Sequence, residues 1–439
     1  MKLIVFICAG FFLFSTCTTP HRSIGETEIA NWQFGKKGAV SVTYDDGSIN
    51  QFKIALPIMY RLKIPATFFI ITGQIPGSQY QGKFIGRPVK TIIKETATVP
   101  TDINNFFERS SAAGYLGLEG TLNYHTRAGS QIEAGKPEEA YKIMDELYKK
   151  VRNSEFHSEK VTKNEVDKDT HVTWDEIRTY AAQGYEFASH TVTHPYLCAL
   201  DEVNILYELE KSREDILKQL GQQYTFSAEV PYGAENERAL AYASKVYPAL
   251  RNRMSENFVE DIIRSDIKNP FQSGKEYVKW QRGAIQKTTL PVMESWLDTT
   301  AAHHNIWLVL VIHGVEGIGW EALPGKMLDE YFHYMKSKDD DLWIATFGDV
   351  TKYIRERMNA TFKSTANGGK IIVNLNHTLN STMYNLPLTL KTYVSSKWKG
   401  VQVIQDNDSR PFPTQQDAGG RYVLYQVYPN SGDIELKGI

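Results

Sequence analysis

Cysteine is scarce in this chain, and its placement excludes more than its number does. Of three cysteines in 439 residues, Cys8 and Cys17 fall within the first 17 positions, leaving Cys198 alone in the remainder. One internal cysteine cannot build an intramolecular disulfide framework. Following Pro195-Tyr196-Leu197, it reads as a small buried apolar residue rather than a nucleophile. A charge excess of either sign is also missing, since the formal net charge is -2 and no Lys/Arg-rich run interleaves with aromatics. The electrostatic footprint of a nucleic-acid binder is therefore absent. No internal repeat is visible. What remains is the composition of an ordinary globular protein, 42% hydrophobic and 23% charged. A chain this long exceeds what one core usually organises, so a large domain and at least one smaller unit are expected.

At the amino terminus, Lys2 precedes an apolar stretch over residues 3–14 and then Ser15-Thr16-Cys17. The stretch is too short to span a bilayer as a mature helix and reads as an export signal over residues 1–17. Phe14-Ser15-Thr16-Cys17 resembles the lipobox of bacterial lipoproteins, which implies acylation of Cys17 and a membrane anchor on the periplasmic or cell-surface side. Ordinary secretion or a periplasmic location is the alternative.

Downstream, β-prone runs alternate with helical patterns over residues 33–360. Residues 38–44 form a β-prone run that stops at Asp45-Asp46-Gly47, and residues 66–71 form a second. Between them, residues 51–62 have a helical pattern. Thr173 with Glu176 is a capping-box signature, and residues 201–220 make a long amphipathic helix stopped by Gly221. Residues 306–312, Ile-Trp-Leu-Val-Leu-Val-Ile, are the strongest buried-strand pattern. This rhythm predicts an α/β domain, either a barrel or a layered sheet. Residues 75–170 exceed an ordinary connection and are expected to be an insertion with its own helices. Residues 361–439 change to strand-like runs broken by Gly, Asn, Asp and Pro, which predicts a small all-β, sandwich-like domain.

Three clusters at predicted strand ends bear chemistry. His190 and His194 are four apart, a spacing that in a helical or turn-like segment lets two imidazole nitrogens converge on a divalent cation. Asp45 and Asp46 would repel each other unless a cation or donors offset their charge. One of the two can complete a two-His, one-Asp metal face, leaving the other to take a proton from water. His313, leaving an apolar strand before Gly314, has a side chain suited to protonating a leaving group. Taken singly, a turn, a packed imidazole and a core-edge histidine would explain them; together they argue for a metal hydrolase.

In this order the clusters resemble the polysaccharide deacetylase family, the NodB-homology domain of carbohydrate esterase family 4. Thr43-Tyr44-Asp45-Asp46-Gly47 is similar to its first motif, which implies Asp45 as the base, Asp46 as a metal ligand and Tyr44, in the usual aromatic position, as a residue of the substrate and oxyanion site. His190-Thr-Val-Thr-His194 resembles the second motif and implies both histidines as ligands. Pro231-Tyr232-Gly233 is similar to the end of the third, which shapes the oxyanion and acetyl site, and Leu310-Val-Ile-His313-Gly314 resembles the fifth, with His313 as general acid. The resemblance implies a distorted (β/α) barrel, one divalent metal ion, expected to be zinc, and an acetylated oligo- or polysaccharide as substrate.

Two positions depart from the family pattern. Glu229 stands near the place of an arginine that orients and charge-balances the catalytic aspartate, and Lys279-Trp280 replaces an Asp-Trp pair that supports the histidine. Another basic group is expected to supply the displaced charge, and Arg282 is the least arbitrary choice from sequence. Removal of acetyl groups from a carbohydrate is the leading reading. The alternatives are O-acetyl ester cleavage on xylan or another plant polysaccharide, and a weakly active or inactive carbohydrate-binding or surface protein. Oligomeric state is left open.

Overall fold

The apolar runs at residues 38–46, 66–70 and 306–312 lie side by side as the centre of one sheet, because strands buried on both faces need hydrophobic residues at every position. The computed structural model describes residues 21–157, 172–406 and 408–439; the export-signal segment and Cys17 lie outside the described residues. The chain divides into two units. One holds Asn31–Met358 and Leu379–Leu386, and the other holds the described residues up to Ala30 with Asn359–Thr378 and Pro387–Ile439.

In the larger unit nine strands follow in chain order: β1 (Gly38–Asp46), β2 (Ala66–Ile70), β3 (Glu186–Ser189), β4 (Ser227–Ala228), β5 (Ala249–Leu250), β6 (Val259–Ile262), β7 (Tyr277–Gly283), β8 (Ile306–Ile312) and β9 (Leu342–Ile344). Their order is β5-β4-β3-β2-β1-β8-β7-β6, with β9 added beside the first residues of β1. Every pairing is parallel. The sheet curls into a distorted (β/α) barrel, the architecture that the family resemblance implies and one of the two that the strand and helix rhythm allows. Parallel neighbours require crossovers, and helices supply most of them. Leu56, Ile177, Leu297 and Leu328 on these helices are buried in one cluster with Val42, Phe68 and Leu310 of the sheet.

Local chemistry sets the helix limits. Thr173 and Glu176 form the anticipated capping box before Trp174–Ala182. Asp201 caps Glu202–Leu220 through the Asn204 N–H, and Gly221 ends it at φ 98°. The pattern over residues 51–62 splits into a π-helical turn at Gln51–Ala55 and the α-helix Leu56–Leu62. The insertion contains Val89–Glu95, Phe106–Gly114, Thr121–Glu133 and Pro137–Arg152, with a core of its own around Phe106, Tyr141, Met144 and Leu147. No helix among the described residues is long and apolar enough to cross a membrane.

In the smaller unit the strands are antiparallel. Asp408–Asp417 pairs with Gly400–Gln405 through residues 408–413 and with Gly420–Val427 through residues 414–417, so one strand serves two half-sheets. Ile371, Val373, Leu390, Val401, Val423 and Leu436 are buried within it. Its make-up differs from a simple segment 361–439. Thr27–Ile29 joins as an edge strand against Leu390–Thr392, while Leu379–Leu386 belongs to the barrel unit. There the Leu386 N–H donates to Glu356 at 3.0 Å and Tyr384 packs edge-on to Phe226. A three-residue strand and an irregular eight-residue segment carry no periodicity from which to read either assignment.

Candidate active site

All strands of the barrel run the same way, so residues that follow their carboxyl ends gather at one rim. Asp45 and Asp46 end β1, His190 follows β3, Glu229 follows β4, Arg251 follows β5 and His313 follows β8. They converge around a cavity of about 230 Å³, whose lining includes Asp45, His190, His194, Tyr232, Arg264 and Trp320.

The adjacent aspartates face different partners. Asp46 takes the left-handed conformation at φ 75°, a region that aspartate tolerates better than most side chains. Its Oδ1 lies 3.6 Å from His190 Nε2 and 3.5 Å from His194 Nε2. The three ligand atoms are within 4.8 Å of one another and all three residues are buried. His190 Nδ1 is 2.9 Å from the Glu229 carbonyl, which only accepts, so that nitrogen carries the proton and Nε2 keeps its lone pair. Burial holds His190 down near 4, against the opposing pull of Asp45, and holds His194 well below its ordinary range. Two neutral imidazoles and a carboxylate fit a divalent cation in size, charge and donor type.

The histidine segment is an irregular loop rather than a helix, with Thr191 and His194 at φ 68° and 62°. Its shape comes from hydrogen bonds. Thr191 Oγ1 accepts from the His194 N–H at 3.0 Å, and the buried Glu208 carboxylate accepts from the Val192 and Thr193 N–H groups at 2.9 and 2.8 Å. Glu208 also accepts from the Thr193 hydroxyl and, from the insertion, the Tyr115 hydroxyl at 2.6 Å. Gly73 N–H donates to the Val192 carbonyl, and a Cβ on Gly73 would stand 2.6 Å from that oxygen.

Asp45 is gripped from another side. Arg251, fully buried, donates from Nη1 and Nη2 to its two oxygens at 2.6 and 2.7 Å, and from Nη1 to Thr43 Oγ1 at 2.8 Å. Burial alone would raise the Asp45 carboxyl, but the Arg251 charge, with His313 beside it, holds it well below the usual carboxylate range. His313 Nε2 is 3.4 Å from Asp45 Oδ2, its ring meets Trp320 edge-on at 4.7 Å, and burial lowers it to about 4 despite Asp45. Gln51 Nε2 donates to the Asp45 and His313 carbonyls at 2.5 and 2.7 Å, tying the two strand ends together.

These contacts revise three expectations. Arg282 does not balance Asp45: its guanidinium donates to the Gln281 carbonyl at 2.7 Å and lies over Trp280 at 5.2 Å, while Arg251 occupies the aspartate. Tyr44 does not line the site. Strand alternation turns it to the opposite face from its neighbour Asp45, and it is fully buried, stacked on Phe68 with centroids 5.3 Å apart. Trp280 is likewise buried within the core cluster. The departures at Glu229 and Lys279 resolve around Arg251. Glu229 Oε1 is 3.1 Å from Arg251 Nη2, so the charge order of the expected arginine is exchanged between adjacent strand ends, and burial raises the Glu229 carboxyl. Lys279 donates to the Arg251 carbonyl, as does Gln281 at 3.1 Å, and pairs with Asp261 at 3.2 Å.

Tyr232 sits in Pro231–Gly233 at φ 63°, half-exposed, with its ring 4.6 Å from His194 and stacked on Tyr196 at 5.3 Å. The insertion supports that stack: the Tyr196 N–H donates to His125 Nε2 at 3.2 Å, and its hydroxyl donates to Glu133. Cys198 is buried and its thiol donates to the Ala234 carbonyl at 3.0 Å; burial pushes it up to about 11. Its place is structural, as expected.

The model of the polysaccharide deacetylase family matches residues 34–105 and 135–247. A gellan lyase of a Bacillus species is 25% identical over 281 residues, covering 59% of this chain and 11% of that protein; the chain thus spans about a tenth of its curated relative. Among solved structures, a chitin deacetylase of Colletotrichum lindemuthianum is 14% identical with a TM-score of 0.35, covering 75% of this chain and 92% of that one. A family 4 carbohydrate esterase from Bacillus anthracis is 13% identical with a TM-score of 0.33, covering 75% and 86%.

Proposed function

Given that the barrel domain belongs to the polysaccharide deacetylase family, we propose that this chain hydrolyses acetyl groups from an oligo- or polysaccharide with the help of one divalent ion, zinc. The observation that carries this reading is the split environment of the two aspartates: Asp46 with two neutral imidazoles, Asp45 between Arg251 and His313. Asp46, His190 and His194 hold the ion, which when bound supplies Lewis acidity toward an acyl carbonyl and water. Asp45, kept ionised by Arg251, takes the proton of the attacking water. His313, 3.4 Å from Asp45, takes up the water proton that Asp45 has collected and delivers it to the departing sugar oxygen or nitrogen. In this reading the Tyr232 backbone N–H stabilises developing oxyanion charge, and its ring, 4.6 Å from His194, walls the acetyl pocket.

The test separates the carboxylates. Asp45→Asn should retain one equivalent of metal and lose about 10²- to 10⁴-fold in turnover, the range of general acid–base contributions. Asp46→Asn and His190→Ala should instead weaken metal binding. Metal analysis, which also identifies the ion, and acetate release are measured on the same folded preparations. Wild-type turnover by Asp45→Asn sinks the assignment of the base.

The order Lys2, apolar residues 3–14 and Cys17 supports export with acylation at Cys17. Mass analysis of the mature amino terminus decides it; an unlipidated terminus downstream of Cys17 excludes the anchor.

A further inference from the structure

Beside the catalytic cavity lies a second, larger hollow of about 530 Å³, and the two share Tyr232, Gly233 and Arg264. Arg264 follows β6 and is half-buried between them. Its position is built. A Cβ on Gly283 would stand 3.1 Å from Arg264 Cδ, and a Cβ on Gly233 would stand 3.1 Å from Arg264 Nη2, so two glycines leave the room that this side chain fills. The other charges facing the hollow have their own partners. Asp261 pairs with Lys279 and accepts from the Met254 N–H at 2.9 Å, and Arg253 pairs with Glu237. The Asp266 carboxylate accepts from the Ile263 N–H at 3.3 Å. Burial, with the nearby Glu229, pushes the Glu235 carboxyl up to about 8; Asp45 is held by Arg251, and Glu229, 3.1 Å from Arg251, also feels the Arg264 charge but accepts no hydrogen bond from it. The guanidinium of Arg264 reaches the boundary of the two cavities with no hydrogen-bond acceptor among the described residues.

We infer that Arg264 reads a carboxylate on the substrate, so that the preferred glycan carries a uronic acid in or beside the sugar whose acetyl group is removed. A planar guanidinium at the junction of a reaction cavity and an adjoining hollow matches the planar, two-oxygen geometry of a sugar carboxylate, which it binds through paired N–H donors. None of the described residues accepts a hydrogen bond from this guanidinium, which leaves its paired donors for the ligand. The inference rests on the deacetylase reading for its reaction, but not for its binding.

Two measurements test it on the full-length protein. Acetate release is compared on a partly acetylated tetragalacturonate and on the same material with its carboxyls reduced to primary alcohols. The wild type should favour the acidic substrate in kcat/KM by roughly 10- to 150-fold, the equivalent of one charge-assisted hydrogen-bonding group. Arg264→Gln should lose that preference through KM, with a clearly smaller loss on the neutral substrate, and Arg264→Lys should keep part of it. Where acetate is released, absence of a wild-type preference, or an equal loss on both substrates, overturns the inference. Calorimetric binding of unacetylated tetragalacturonate to wild type and Arg264→Gln needs no turnover. Tighter binding by the wild type supports the carboxylate role even if no acetate is released, an outcome that defeats only the deacetylase reading; equal affinities defeat the role itself.

Discussion

Arg251 holds both oxygens of Asp45 while its carbonyl is held by Lys279 and Gln281. This arrangement gives a pH prediction with a definite sign. Asp45 is depressed chiefly by that guanidinium, so Arg251→Gln raises its pKa in the folded protein, and the base becomes protonated at a higher pH. The acid limb of the kcat/KM profile should therefore move upward by at least one pH unit. Arg251→Lys should restore part of the shift, and Arg282→Ala should leave the profile in place because its donors end on backbone carbonyls away from Asp45. Circular dichroism on each variant checks that the change is in the site rather than the fold. The sequence made Asp45, Asp46, His190, His194 and His313 legible because each is a reactive residue placed directly at or shortly after a strand end. Arg251 was not legible. It follows a strand of only two residues, and the pattern over residues 249–251, Ala-Leu-Arg, has nothing to separate it from any surface arginine.

The histidine loop shows the next scale, where an element is shaped by groups remote in sequence. Glu208 on Glu202–Leu220 accepts two N–H groups and two hydroxyls, and its burial would be costly without them. Glu208→Gln replaces an acceptor-only group with an amide that cannot satisfy the same four donors. Metal affinity should fall roughly 10- to 100-fold, the effect typical of losing partners that orient ligands. Glu210→Gln on the same helix serves as the control, and competition with a chromogenic chelator gives the affinity. Unchanged affinity in a folded Glu208→Gln protein would show that the loop keeps its shape without that carboxylate. Sequence reading located the helix and its caps but not this role, since a glutamate within an amphipathic pattern ordinarily faces solvent. The strands β5, β6 and β7 escaped for a related reason: short or mixed apolar-polar segments such as Val259–Ile262 are stabilised by neighbours already in the sheet rather than by their own pattern.

Across the whole molecule, alternating periodicities identified an α/β domain, a helical insertion and a β-rich carboxyl-terminal region, while the choice of a barrel came from the motif resemblance and the way the chain divides between its units was invisible. The backbone passes from one unit to the other at residues 30–31, 358–359, 378–379 and 386–387. These crossings leave no local mark, because either unit is completed by segments too short to have a period. The strand Thr27–Ile29 is such a segment. Its partner is Leu390–Thr392, and the hydroxyls of Thr27 and Thr392, 365 positions apart in sequence, meet at 2.9 Å. During synthesis the earliest part of this sheet must wait while the entire barrel sequence is made, since its pairing surface emerges from the ribosome among the last segments. A nascent chain halted before residue 388 thus carries an orphan strand, exposed to proteases and to pairing with foreign edges until translation reaches its mate.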